Sequence, residues 1–482
     1  MLLVLKIRSF LKRPVIQNFS VLTFSNILVQ GFNVFTSIKI AKNLMPEGYG
    51  FYSFIMSLSA IYVVFVQLGM RNVIVRGIAV NKDDSGNQFT TSFIARTAAF
   101  VLVALAVIIY NTWFSKITLN ASYIFWLCLL ILSTAHWDTV ESVTFGHEKM
   151  KYSAYINLAL TIGWFIVIMI LPVEYIKPYM VLVLTVVFQV VKSIVLTICA
   201  YANKMFAVTA FPPWGEIVSK LKESFPFYVL AIFTLFTSSL PIIYLEHLST
   251  EKEIAFFNIA GRLISPLQLL LFTLLSSLYP ALSRNFEYDK EKFLRTIKIA
   301  FLVIFGAGVV GAFTVSTFRN EIVYLLYGEK YAESANVISI QCWFTTLFGV
   351  FCLIGTILSA VHKQYLLSKL SIAYALISFP CLLYGAKYGA VGLSVGFVVA
   401  AIINMTYHIY YLQKSLPQRI SNIYLYISIL VYIFLFIGSL FITKLNFGVR
   451  VIILLSVFAV IGYRSFKFWE QQQKKGENVF AK

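Results

Sequence analysis

From residue 19 to residue 466 the chain alternates long apolar runs with short polar breaks. Seven runs occupy the first half, at 19–41, 49–70, 92–114, 121–143, 153–172, 178–201 and 225–247. Seven more follow at 254–282, 293–316, 337–361, 365–386, 388–413, 422–442 and 447–466. Each spans about 20 residues or more, and a helix rising about 1.5 Å per residue then crosses a hydrocarbon core of about 30 Å. The pattern predicts an all-α integral membrane protein with about 14 transmembrane helices. No polar break exceeds roughly 25 residues, well below the ~50 of a small domain, so a soluble catalytic or nucleotide-binding domain has no room.

Composition points the same way. Of 482 residues, 59% are hydrophobic and 12% charged, about half the charge of a soluble protein. With a mean hydropathy of +0.82, lipid is the expected solvent. The net charge of +19 does not mark a nucleic-acid binder, because the cations are dispersed over short loops that suit an anionic leaflet. Cys128, Cys199, Cys342, Cys352 and Cys381 lie singly in apolar runs without metal-ligand spacing, and read as small apolar residues. The chain carries no phosphate-loop motif, no H-E-x-x-H and no nucleophile elbow, so neither an enzyme centre nor a cofactor or metal is expected.

Loop charge sets the expected orientation. An even number of spans puts both termini on one side, and the loops of that side hold most of the cations. They include Lys6, Arg8, Arg71, Arg76, Lys220, Arg284, Lys292 and the tail's Arg464 and Lys467, against scattered lysines such as Lys42, Lys116 and Lys252 opposite. The positive-inside bias makes both termini cytoplasmic and the turn at Gly448 external. The expected organisation is a basic interfacial segment (1–18), an N-terminal six-helix bundle (19–201) and a cytoplasmic linker (202–224). A C-terminal six-helix bundle (225–413), two further helices (414–466) and a basic cytoplasmic tail (467–482) complete it. An internal echo, NLMPEGYGFYSFI (43–55) against HLSTEKEIAFFNIA (247–260), relates the bundles as a parallel repeat.

Several polar groups interrupt the apolar runs. In the first span Thr23, Asn26, Gln30, Asn33 and Ser37 are spaced 3, 4, 3 and 4 residues apart, which puts them on one helical stripe. In lipid such a stripe must face protein or water, as a helix contact or a cavity wall. The eighth span opens FFNIAGRLISP (256–266), with Asn258, Arg262 and Ser265 on one face and Pro266 beside them. Arg262 cannot shed its proton, so it needs a carboxylate partner, water or an anionic ligand. Asp138 and Glu141 share a face near the end of the fourth span, as candidates for ion coupling or as a wetted helix terminus. Lys192 and Lys39 are either cavity cations or snorkelling ones, and Lys39 points away from the first span's stripe.

Longer stretches carry a resemblance. AKNLMPEGYGFYSFIMSLSAI and VQLGMRNVIVRGIA, FGHEKMKYSAYINL (145–158), EKEIAFFNIAGRL, LYGEKYAESANVI and YGAKYGAVGLSVGFVVA follow one another along nearly the whole chain. Together they resemble the polysaccharide (O-antigen-type) flippases of the multidrug/oligosaccharidyl-lipid/polysaccharide exporter superfamily. The resemblance implies two six-helix bundles around a central cavity, a bacterial inner-membrane location and an undecaprenyl-pyrophosphate-linked glycan as cargo. It also implies a pathway in which a polymerase and a chain-length regulator act beside the flippase. Arg262 is similar in setting to a cavity arginine of lipid II flippases, whereas the other cavity cations of that group have no clear counterpart here. Cargo contact would then fall to Arg262, Asn258 and Ser265 and to Asn26, Gln30, Asn33 and Ser37. A drug or cation antiporter of the same superfamily would want carboxylates well inside the spans, and a membrane polysaccharide polymerase a large external loop.

Overall fold

The structure, a computed structural model, describes residues 14–416, 432–439, 441–442, 445–459 and 462–463, with side chains from residue 21 onward. Most of the expected basic segment at 1–18, part of the thirteenth span, the tail at 467–482 and both termini lie outside the described residues. Among the described residues the secondary structure is helical throughout, without strands.

The first helix, α1 (Pro14–Gln67), holds two predicted spans. They meet at Met45, whose φ of 62° and ψ of 168° break the helix. Pro46 follows, where a missing N–H costs nothing because a helix start has no partner for it. After a turn at Leu68 and Gly69 come α2 (Arg71–Val80), α3 (Ser85–Trp113), α4 (Ala121–Gly146), α5 (Lys151–Ile170) and α6 (Pro178–Ala202). Asn120 caps α4 by accepting from the Tyr123 N–H at 3.1 Å. Next, α7 (Trp214–Ser238) and α8 (Leu240–Leu248) form one span bent by 44°. Pro241 at the start of α8 withholds a backbone donor there.

The chain continues with α9 (Glu251–Tyr288), α10 (Lys290–Thr317), α11 (Arg319–Tyr327), α12 (Ser334–Ala360), α13 (Gln364–Ala386) and α14 (Gly389–Ser415). Ten helices are long and apolar enough to cross a membrane, and the bent pair makes eleven. Dividing α1 at Met45 gives twelve spans up to residue 415, and a further apolar helix, α15 (Phe447–Ala459), follows.

Two compact units divide the chain, Met1–Ala255 and Phe256–Lys482. In the first, α1 packs on α4, α5 and α6, while α3 lies against α4. Val101, Leu102, Leu105, Ile108 and Ile109 of α3 are exposed, the signature of a lipid-facing helix. One close approach fixes a small residue here. A Cβ on Gly50 would lie 1.8 Å from the Glu251 carbonyl oxygen, so only glycine fits. In the second unit α12 is the most enclosed helix, with 78% of its apolar window buried against 22% for α13. There α13 and α14 touch backbone to backbone: a Cβ on Gly392 would lie 2.4 Å from the Gly385 carbonyl oxygen, and the converse holds for Gly385. Without a hydrophobic drive between helices in lipid, such small-residue faces supply close van der Waals contact.

Candidate functional site

In the second unit, α9 places Asn258, Arg262 and Ser265 on one face. Arg262 lies eleven residues into the helix, about 16 Å along it, and is half-buried. Among the described residues no carboxylate forms an ion pair with it. Pro266 has no N–H to give the Arg262 carbonyl, and Ser265 Oγ donates to that carbonyl instead, at 3.1 Å. The hydroxyl therefore repairs a proline gap, and α9 runs on without interruption to Tyr288.

In the first unit, Asn26, Gln30 and Asn33 of the α1 stripe are half-buried, while Ser37 is buried with an Oγ that lacks a hydrogen-bond partner. Lys39 is half-buried and outside any ion pair among the described residues; its carbonyl accepts from Asn43 Nδ2 at 2.7 Å. Lys192 of α6 does not reach for a helix end. Its Nζ donates to Asn157 Oδ1 at 2.9 Å and to Thr161 Oγ1 at 3.3 Å, both on α5.

The acidic pair has a different surrounding. Arg71 Nη1 lies 2.5 Å from Asp138 Oδ1 and 2.8 Å from Glu141 Oε2. Arg96 Nη2 lies 2.9 Å from Asp138 Oδ2, an ion-pair contact too bent to be a hydrogen bond. The Arg96 Nη1 donates to Thr139 Oγ1 at 2.7 Å and to the Ala135 carbonyl at 3.1 Å. Asp138 is buried and Glu141 half-buried, so neither is an open, wetted terminus. Burial lowers the Arg71 pKa, but Asp138 and Glu141 more than offset this and hold it above the ordinary arginine value. Two carboxylates and two guanidiniums thus form a closed set.

Two charged groups escaped sequence reasoning. Arg96 reads as a residue near the start of the run 92–114, yet α3 begins at Ser85 and carries it eleven residues inside. Glu246 reads as the polar end of a span. Its buried carboxylate instead accepts from the N–H groups of Lys116 at 2.5 Å and Ile117 at 2.8 Å and from Ser115 Oγ at 3.2 Å. Nothing in the sequence near Glu246 signals that loop, which lies about 130 residues earlier.

Membrane-crossing helices in two compact units, with most buried charges in satisfied sets, define a polytopic all-helical membrane fold. The chain belongs to the polysaccharide biosynthesis protein family, whose model matches residues 15–286. It is 22% identical to the capsular polysaccharide biosynthesis protein CapF of Staphylococcus aureus, covering 83% of this chain and 99% of that one. Its fold is similar to the lipid II flippase MurJ in an inward closed conformation, with a TM-score of 0.70 at 13% identity, covering 93% and 99% of the two chains. A multidrug resistance MATE transporter of the MOP superfamily, inward-facing, matches with a TM-score of 0.63 at 15% identity, covering 84% and 99%. The Vibrio cholerae MATE transporter VcmN in its bent form matches with a TM-score of 0.53 at 14% identity, covering 84% and 98%.

Proposed function

We propose that this protein is a flippase for undecaprenyl-pyrophosphate-linked oligosaccharide repeat units. It carries them by alternating access from the cytoplasmic to the outer face of the bacterial inner membrane, for capsule, exopolysaccharide or O-antigen assembly, and makes or breaks no covalent bond. The observation that carries the reading is Arg262, a permanent cation inside a spanning helix with no carboxylate partner among the described residues. Charges within spans mark ligand pathways when they are left uncompensated. A guanidinium offers two parallel N–H groups to a phosphate, and Asn26, Gln30 and Asn33 offer amides to sugar hydroxyls. An inside-negative potential favours outward movement of the anionic cargo by about 2.3 kcal/mol per charge at 100 mV.

The family membership supports a place in polysaccharide assembly, and a relative named for capsular polysaccharide biosynthesis is consistent with it. An antiporter would want a free acid inside the spans, whereas Asp138 and Glu141 are held by Arg71 and Arg96. Deleting the gene should trap lipid-linked oligosaccharide on the cytoplasmic face and abolish surface polymer. If single repeat units instead reach the outer surface and stay unpolymerised, the protein is a polymerase and the flippase reading fails.

A further inference from the structure

Lys192 is the fifteenth residue of α6, about 21 Å along the helix from Pro178 and about 15 Å from Ala202. Both ends are further than a four-carbon stem reaches, so the ammonium cannot snorkel to water at a membrane surface. It turns to α5, where Asn157 Oδ1 and Thr161 Oγ1, one helical turn apart, take two of its three N–H donors. Those oxygens are neutral. They orient the ammonium without cancelling its charge, and among the described residues no carboxylate does so. Arg96, eleven residues into its own helix, is treated differently: the fold gives it Asp138. Buried Arg96 is neutralised by the protein, whereas half-buried Lys192 is oriented but keeps its charge.

The surroundings bear on what would balance that charge. Phe32 of α1 packs on Phe165 of α5, with ring centroids 5.1 Å apart. Four crossings separate these two spans, so they run the same way. One to two turns back along α5 from Phe165 come Thr161 and Asn157, level with residues 24–28 of α1. Asn26 therefore sits at the depth of Lys192, and Gln30 and Asn33 follow along the same stripe. Amides at the depth of a single oriented ammonium match a hydroxyl-rich ring bearing one negative group. A diphosphate suits a two-pronged guanidinium better than a lone ammonium.

We propose that Lys192, oriented by Asn157 and Thr161, is a subsite for the carboxylate of an acidic sugar, so that the cargo is an anionic oligosaccharide. This inference rests on the flippase reading. The test uses the purified full-length protein in phosphatidylethanolamine–phosphatidylglycerol vesicles. Two polyprenyl-diphosphate-linked disaccharides are compared, one ending in glucuronic acid and one in glucose. The wild-type protein should move the acidic glycan about tenfold faster, the worth of one charge-assisted hydrogen bond. In Lys192→Gln that ratio should collapse to about one, and Lys192→Arg should retain part of it. A wild-type ratio of one overturns the inference alone, whatever the variants do. So does a ratio unchanged in Lys192→Gln, which would put Lys192 on the diphosphate or in the framework. A folded wild-type protein that moves neither glycan overturns the flippase reading and the acidic subsite with it.

Discussion

At the scale of the residue, compensation separates framework charges from candidate ligand-binding ones. Arg71 and Arg96 meet Asp138 and Glu141, and Glu246 meets three donors of the 115–117 loop. Among the described residues Arg262 has no carboxylate partner, and Lys192 meets only the neutral oxygens of Asn157 and Thr161. If Arg262 holds pyrophosphate, Arg262→Ala should abolish transport yet insert and fold normally, since removing the guanidinium lifts an insertion cost of about 2.5–3.5 kcal/mol. Arg262→Lys should restore part of the transport, because the charge returns without the two-pronged geometry. Membrane abundance and surface polymer, measured together on both variants, check this. A well-expressed and fully active Arg262→Ala protein would remove Arg262 from the cargo site. The charge inside an apolar run made Arg262 and Lys192 legible in the sequence. Their partners, or the lack of them, were not, because Asn157 lies 35 residues from Lys192 and is brought to it only by packing of α5 on α6.

At the scale of the element, helices outrun their apolar cores, so a charge at the edge of an apolar run can lie well inside a helix. The run at 92 begins seven residues after α3 does, and the run at 254 three residues after α9. A hydropathy profile reports where the hydrocarbon starts, whereas backbone hydrogen bonding carries the helix on into the polar zone. Asp138 and Glu141 look like a wetted end of α4 for the same reason. The structure covers that end with α2 and α3, whose arginines reach across it. Asp138→Asn would leave Arg96 buried beside a neutral amide, a change that costs about 3–5 kcal/mol where a buried pair is broken. Thermal unfolding in detergent should therefore fall sharply for Asp138→Asn, and the double variant with Arg96→Met should recover much of the loss. If Asp138→Asn keeps wild-type stability but changes the ion dependence of transport, the acid is a coupling site and the closed set has another purpose.

At the scale of the whole molecule, the number of crossings follows from apolar length alone, and its sidedness from charge. Twelve spans up to residue 415 bring the chain back to the side on which it began, and the two further spans expected from the sequence would leave that parity unchanged. The even count was legible in the sequence because each crossing needs its own long apolar run, whereas the break at Met45 that separates the first two depends on a single left-handed residue. Neither the helices nor their packing says which side is the cytoplasm; loop lysines and arginines do, because they resist translocation. On that basis the turn before α15 should be external and residues 467–482 cytoplasmic. Gly448, which the structure places as the second residue of α15 rather than in the turn itself, is still a suitable reporter of that end, since a Cβ there meets nothing within 4 Å and cysteine fits without strain. In a cysteine-free background, Gly448→Cys should react with an impermeant maleimide in intact cells. Lys475→Cys should react only after the membrane is opened. Labelling of Lys475→Cys from outside would reverse the orientation, and the proposed direction of cargo movement would then run against the charge bias that the loops establish.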